Sequence, residues 1–440
     1  MIIKKLQRML AMVCAVSMLY ATNGCTQRKN EEHSELIATS ETQLVFEDQI
    51  AMDEPWRRLV SELTYHNGYV YYPEQYGQYH VFKRMNLTTG EISSPCADPL
   101  CSHTDENCPF YAGNRGIPSV KIFGKWIVIQ SVFTDPAKAQ SRRYKRILYN
   151  SQTGEWTEFF QTTGDAQNDS NIMQIGDCLY HMSYGMSRTE NGETYIPSEI
   201  QRYNLKTGVE DVIYSHPYNI LLIMAGESRL YFYEDIADQE YRFYSIDKNG
   251  EGVREEPTIS LTPDYVYQNR IYSHPKNDES GVSPLLMQDM TSGEIITVTE
   301  DHMVGSICID NGYLYYMTKD YYSQYFVDDW AVVEEARAAG VSPRSEPYAS
   351  RRAELEKRRN TETAYIWKCD LDGSNHEIVL ELPGAGALNV YIWNNYLYTN
   401  HLFYDIETGE RLGTENEQDQ PCRIDLATGE VEFLHKLGAE

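Results

Sequence analysis

Positive charge is scarce in this 440-residue chain, where 38 Lys and Arg stand against 65 Asp and Glu for a net charge of −27. The first 24 residues hold Lys4, Lys5 and Arg8 and no acid, so the remainder carries 35 basic against 65 acidic residues, or −30. Such a surface repels phosphate backbones and anionic headgroups. It excludes nucleic acid as a partner and favours divalent cations or cationic proteins. Long apolar runs are missing too. The uncharged stretch Met9 to Ala21 is shorter than the roughly 20 residues a membrane-spanning helix takes. Catalytic signatures are equally absent: there is no G-x-S-x-G elbow, no H-E-x-x-H and no P-loop. Asp370-Leu371-Asp372-Gly373 begins like a calcium loop, but its Gly comes too early and no Glu closes it. Carboxylates abound, yet abundance alone pairs no acid with a base. No reaction is expected from these residues.

What is present begins with an address. Lys4, Lys5 and Arg8 form a basic start, the apolar run follows, and Thr22-Asn23-Gly24-Cys25 leads into a polar stretch. This resembles the lipobox of bacterial lipoproteins, in which the cysteine is diacylated and becomes the mature N-terminus. Gly24 and Cys25 match the pattern, whereas Thr22 stands where Leu is usual and Asn23 where a smaller residue is typical. The resemblance implies a signal peptide over 1–24, then an acylated Cys25 and flexible tether over 25–43. The chain would sit outside the cytoplasm, anchored to the outer face of the cytoplasmic membrane.

The remainder, 44–440, repeats one phrase: an apolar strand, a tight turn, an aromatic strand, a third strand ending in Thr-Gly or Asp-Gly, and a fourth strand. The aromatic strand recurs near Tyr69, Trp126, Leu179, Leu230, Ile271, Tyr313 and Tyr396. A turn glycine follows each in order, at Gly90, Gly154, Gly208, Gly250, Gly293, Gly373 and Gly429. The 12% aromatic content suits pleated surfaces. Four antiparallel strands at such a period predict an all-β fold, a β-propeller of about seven four-stranded blades, with six or eight as alternatives. Gln43 to Asp48 is a candidate to pair with the last blade and close the ring. The last blade is expected to end near Leu437, with no hydrolase domain after it.

With strands lettered a to d from the centre outward, a–b and c–d turns share one face, and b–c loops and d-to-a connections share the other. The long segments 95–118, 319–363 and 403–420 are all assigned to that second face, where loops on a rigid scaffold carry function. The blade-six insertion reads as two helices. One runs from Asp328 to Ala339 and stops at Gly340; the other is capped by Ser345, has Pro347 early and runs to about Asn360. Arg351, Arg352, Lys357, Arg358 and Arg359 make it a basic patch, either a solvated rim or a docking element. Tyr76, Tyr79, Tyr321, Tyr322, Tyr325 and Trp330 are candidates to stack on a sugar or clamp a peptide, or else to pack beneath the insertion.

The densest chemical signal is Cys96, Cys101, His103 and Cys108, spaced C-x4-C-x-H-x4-C. Three thiolates and an imidazole can complete a tetrahedral Zn²⁺ or Fe site. Outside the cytoplasm two of the three thiols can instead form a disulfide, leaving one over. The run, with Asp98, Pro99 and Pro109, resembles a C-x-D-P-x-C-x-H-x4-C-P pattern of uncharacterised propeller-like lipoproteins of anaerobic Gram-positive bacteria, which implies no activity. Cys178, Cys308, Cys369 and Cys422 stand singly in predicted strands and read as buried, inert thiols. Two functions follow. The first is a non-enzymatic surface lipoprotein whose propeller binds a protein, peptide or glycan. The second is an extracytoplasmic enzyme, or a metal or redox sensor, centred on the cysteine cluster.

Overall fold

Alternating burial makes these segments strands. In Ser119–Phe123 only Val120 and Ile122 are buried and the residues around them are half-buried, so successive side chains point to opposite faces of the sheet. A computed structural model describes residues 56–434, apart from 58–63, 67, 77–78, 104, 106, 113–118, 135–141, 161–167, 186–187, 191–192, 238–239, 275–283, 301–306, 387, 389 and 415–420. The leader, Cys25, the tether and Gln43–Asp48 lie outside the described residues.

Seven antiparallel sheets follow one another along the chain, each with strands in the order a-b-c-d. Blade one is built from Thr64–His66, Tyr69–Tyr76, Tyr79–Asn86 and Ile92–Ser93, and blade two from Ser119–Phe123, Trp126–Thr134, Arg142–Asn150 and Trp156–Glu158. Blade three comprises Asn168–Ile175, Cys178–Tyr184, Ser198–Asn204 and Glu210–His216. Blade four comprises Ile220–Ala225, Arg229–Ala237, Glu240–Asp247 and Arg254–Glu255. Blade five, the faint repeat, is Tyr265–Tyr267, Arg270–Ser273, Leu285–Asp289 and Ile295–Thr299. Blades six and seven are Cys308–Asp310, Tyr313–Thr318, Ala364–Asp370, Glu377–Leu382, and Tyr391–Trp393, Tyr396–Asn400, Pro421–Asp425, Val431–Phe433. The fold is a seven-bladed β-propeller. Trp56–Arg57 adds a short strand to the inner edge of blade five.

Side chains of neighbouring blades interleave around the whole ring. Phe159 and Phe160 join blade two to blade three, Tyr265 and Tyr316 join five to six, and Val70 with Tyr398 joins one to seven. Polar tips latch neighbouring blades as well. Tyr180 donates its hydroxyl to Lys248 O (3.0 Å), Tyr272 to Leu371 O (2.8 Å), and the Arg423 guanidinium to Leu87 O (3.2 Å). In each case the acceptor is the c–d turn of the next blade, so burying the turn carbonyl costs no unmade hydrogen bond.

Five of the seven c–d turns share a device beyond their glycine. Asn86, Asn150, Asn204, Asp289 and Asp425 each accept, on Oδ1, the N–H groups two and three residues ahead. Their own carbonyls accept from Gly90, Gly154, Gly208, Gly293 and Gly429. A short polar side chain thus satisfies the turn's N–H groups locally, without help from the sheet. The same turn recurs at Asp405–Gly409, inside the blade-seven insertion.

Two helices lie between strands b and c of blade six: α1 over Tyr322–Ala338 and α2 over Tyr348–Thr361. The first begins six residues before the predicted start, and Ser345 caps neither helix by its side chain, since Pro347 is the residue before α2. Gly340 ends α1 with φ +70°, and Val341 N–H reaches back to Ala336 O.

Candidate functional site

The cysteine-bearing segment is not the face loop its length suggests. Ile92–Ser93 pairs with Arg84 and Met85, and Tyr111–Ala112 then pairs with His80 and Val81 on the same strand c. Phe82 N–H donates to Phe110 O (2.9 Å) between them. The outer strand of blade one is therefore made in two pieces, with 94–109 looping out of the break. Buried Phe110 and Tyr111 draw the chain back. The loop then rests on blade two: Ala97 N–H donates to the Tyr149 hydroxyl (2.9 Å), and the Phe110 and Tyr149 rings meet edge-on, centroids 4.8 Å apart. Ala97 also abuts Gly154 in the blade-two c–d turn. That is the short-turn end of the sheets, so the assignment of this loop to the insertion face is corrected.

Two copies of one turn present Cys101 and Cys108. In Asp98-Pro99-Leu100-Cys101 the Cys101 N–H bonds Asp98 O (3.2 Å), and in Asp105-Glu106-Asn107-Cys108 the Cys108 N–H bonds Asp105 O (3.1 Å). Each aspartate also accepts on Oδ1 from the residue two ahead, Leu100 or Asn107, at 2.9 Å. His103 sits between them with its backbone in the left-handed region, φ +57°. One donor atom from each of Cys96, Cys101, His103 and Cys108 lies within 4.8 Å of all the others, and His103 Nδ1 is 3.4 Å from Cys108 Sγ. Cys108 is buried and the other three are half-buried. Burial pushes the Cys96 and Cys108 thiols up from their ordinary value, the opposite of what a nucleophilic or redox-active thiolate needs. Three sulfurs and one imidazole nitrogen suit a tetrahedral cation; any pair of the sulfurs suits a disulfide. Burial also holds Cys369 and Cys422 at about 12, as inert core thiols.

The second cluster is the helical hairpin. Its arginines are spent on holding it together. Arg352 makes a forked bond to Asp329 (2.6 and 3.1 Å), Arg351 reaches Glu335 (2.5 Å), and Arg358 and Arg359 lie over the rings of Tyr321 and Tyr325 at 3.7 and 4.4 Å. Tyr321 and Tyr325 are only 4% and 9% exposed, so they brace the hairpin and are not available to stack on a ligand. The Tyr322 backbone opens α1 and the Tyr76 backbone ends strand b of blade one; their side chains lie outside the described set. Tyr79 is half-buried and packs on the Tyr111 ring, centroids 5.0 Å apart. Among the named aromatics whose side chains are described, Trp330 alone stands open, 58% exposed with the Arg337 guanidinium against its ring. Phe326 and Val327, one turn away, are exposed beside it.

At the base of the hairpin Lys319, 1% exposed, donates to Arg359 O (2.8 Å) and Ala385 O (2.6 Å). Desolvation brings its pKa down to about 8. Lys357 of α2 also abuts Gly409, so the blade-six and blade-seven insertions meet on the b–c face.

No family model matches the chain, and no curated protein matches it in sequence. Among solved structures, the acylaminoacyl peptidase of Pyrococcus horikoshii aligns with TM-score 0.47 and 10% identity over 86% of this chain and 52% of that one. A prolyl endopeptidase aligns with TM-score 0.45 and 14% identity over 88% and 50%. The β-propeller domain of the Trilobed protease from Pyrococcus furiosus aligns with TM-score 0.46 and 11% identity over 85% and 96%. The chain spans about half the length of the first two. The fold therefore rests on the seven sheets described above.

Proposed function

We propose that the chain is an extracytoplasmic lipoprotein, acylated at Cys25, whose propeller binds a partner protein or peptide on the b–c face without catalysis. The supporting observation is the outward row of Phe326, Val327 and Trp330 on a hairpin held rigid by its own arginines. Apolar side chains fixed in water on a stiff support are what association surfaces use, because little side-chain entropy is lost on contact. A glycan is the other ligand class, stacked on Trp330; a row of three apolar side chains suits the spread of a peptide better. In the test, a benzophenone amino acid placed at position 326 in the producing cell crosslinks one discrete partner, and the same residue at exposed position 209 does not. Equal patterns at both positions, or palmitate labelling that persists in Cys25→Ser, would overturn the corresponding part. Steady turnover of peptide or glycan, lost on replacing a single carboxylate, would overturn the non-catalytic part.

The cysteine loop supports a second reading in parallel. Four convergent soft donors suit a bound Zn²⁺ or Fe, around which an extracytoplasmic enzyme or metal sensor could be built.

A further inference from the structure

We infer that Cys96, Cys101 and Cys108 through Sγ, and His103 through Nδ1, hold one zinc ion in a closed structural site that clamps the broken outer strand of blade one against blade two. The inference rests on the metal reading above and is independent of the partner-binding one.

The geometry matches the ion. Zinc takes sulfur at about 2.3 Å and imidazole nitrogen at about 2.0–2.1 Å, so a tetrahedral S–N edge measures about 3.6 Å and an S–S edge about 3.8 Å. The His103 Nδ1 to Cys108 Sγ separation is 3.4 Å, and every other donor pair falls within 4.8 Å. A contraction of a few tenths of an ångström to an ångström closes the shell. A disulfide would use two sulfurs and leave the third beside an imidazole with nothing to bind. A metal uses all four donors.

Chemistry and position agree. Three thiolates and an imidazole form a soft, tetrahedral set that zinc favours and that hard cations such as Ca²⁺ and Mg²⁺ do not. All four positions are filled by protein, which leaves no open site for water or substrate and marks the site as structural. The paired aspartate turns aim Cys101 and Cys108 inward with their N–H groups already bonded to Asp98 and Asp105. The turns themselves therefore need no metal, and the ion only joins them. On binding, the thiol protons pass to solvent and the thiolates bind the ion.

The clamp has something to hold. Residues 94–109 interrupt a strand, and a strand in two short pieces cannot secure itself by ladder bonds alone. Closing the loop on a metal fixes Ala97 against the Tyr149 hydroxyl and Phe110 against the Tyr149 ring, across the interface between blades one and two.

Metal analysis of the full chain, purified without chelator, should find one zinc per chain. X-ray absorption at the zinc edge should show three sulfurs near 2.3 Å and one nitrogen near 2.0 Å. Cys101→Ser should drop the zinc below about 0.1 per chain, whereas His103→Cys keeps it with a four-sulfur shell. Should Cys101→Ser fail to fold, the wild-type absorption spectrum decides the ligand set by itself. Chelation should speed hydrogen exchange in 94–112 and around Tyr149 by about tenfold or more and leave blades three to six unchanged. A metal-free chain with a disulfide in the loop would defeat the metal reading altogether, and iron in place of zinc would defeat the assignment of the ion. Bound zinc whose removal leaves exchange in 94–112 unchanged would defeat the clamp while the metal reading stands.

Discussion

Gly250 and Gly312 are both turn glycines at positive φ, +86° and +80°, yet they bear unequal demands. A Cβ at Gly250 would run into the carbonyl of Ile213 in the neighbouring blade, whereas nothing lies within 4 Å of one at Gly312. Gly312→Ala should cost only the left-handed backbone penalty, about 1–2 kcal/mol. Gly250→Ala should cost clearly more, because backbone cannot give way as a side chain can. Urea unfolding of the two variants compares them directly, and equal losses would contradict the close approach. The glycines were visible in the sequence because few other residues tolerate such angles. Their partners, Asn86, Asn204 and Asp425, were not singled out, since an Asn or Asp four residues upstream reads as ordinary loop polarity until Oδ1 is seen to take two N–H groups.

At the scale of elements, the helical hairpin hangs on Lys319. An unfolded lysine keeps its proton up to about 10.5, while the buried Lys319 loses its proton near 8. Between those values the unfolded chain binds more protons, so stability rises with pH across that window. Relative to Lys319→Met, the wild type should gain up to about 3 kcal/mol between pH 8 and 10.5. Paired urea melts at pH 7 and pH 10 measure the gain, and a pH-independent difference would exclude it. The hairpin also shows where pattern reading stops. Gly340 marked the end of α1, but stacking on a ligand and packing beneath the insertion both stayed open for Tyr321 and Tyr325, and the arginines read as a basic patch. Only the fold reveals that Arg358 and Arg359 cover those two rings. In the cysteine loop the grouping of Cys96, Cys101, His103 and Cys108 was legible from residue types and spacing. Its place was not, because Phe110 and Tyr111 rejoin a strand that stopped at Ser93, and nothing local announces a strand built in two pieces.

At the scale of the molecule, the seven-blade count follows from one c–d glycine per blade, five of the seven in the same Asn/Asp turn. Insertions then divide between the two ends of the sheets: both long b–c segments meet on one, and the cysteine loop rests on the blade-two turn at the other. The 319–363 insertion also bears on the order in which the chain can fold. Strands Tyr313–Thr318 and Ala364–Asp370 must find each other across 45 residues, whereas blade one joins the same two strands across a pair. By loop-closure entropy, at about 0.6 kcal/mol per doubling, that separation costs about 2.7 kcal/mol more. A hairpin formed first, tied by Arg352 to Asp329, brings the two ends together and removes most of that cost. Blade six should therefore wait for its helices. Asp329→Ala, though it touches no strand, should slow the refolding arm of a chevron more than it speeds unfolding, and the reverse would place the helices after the blade.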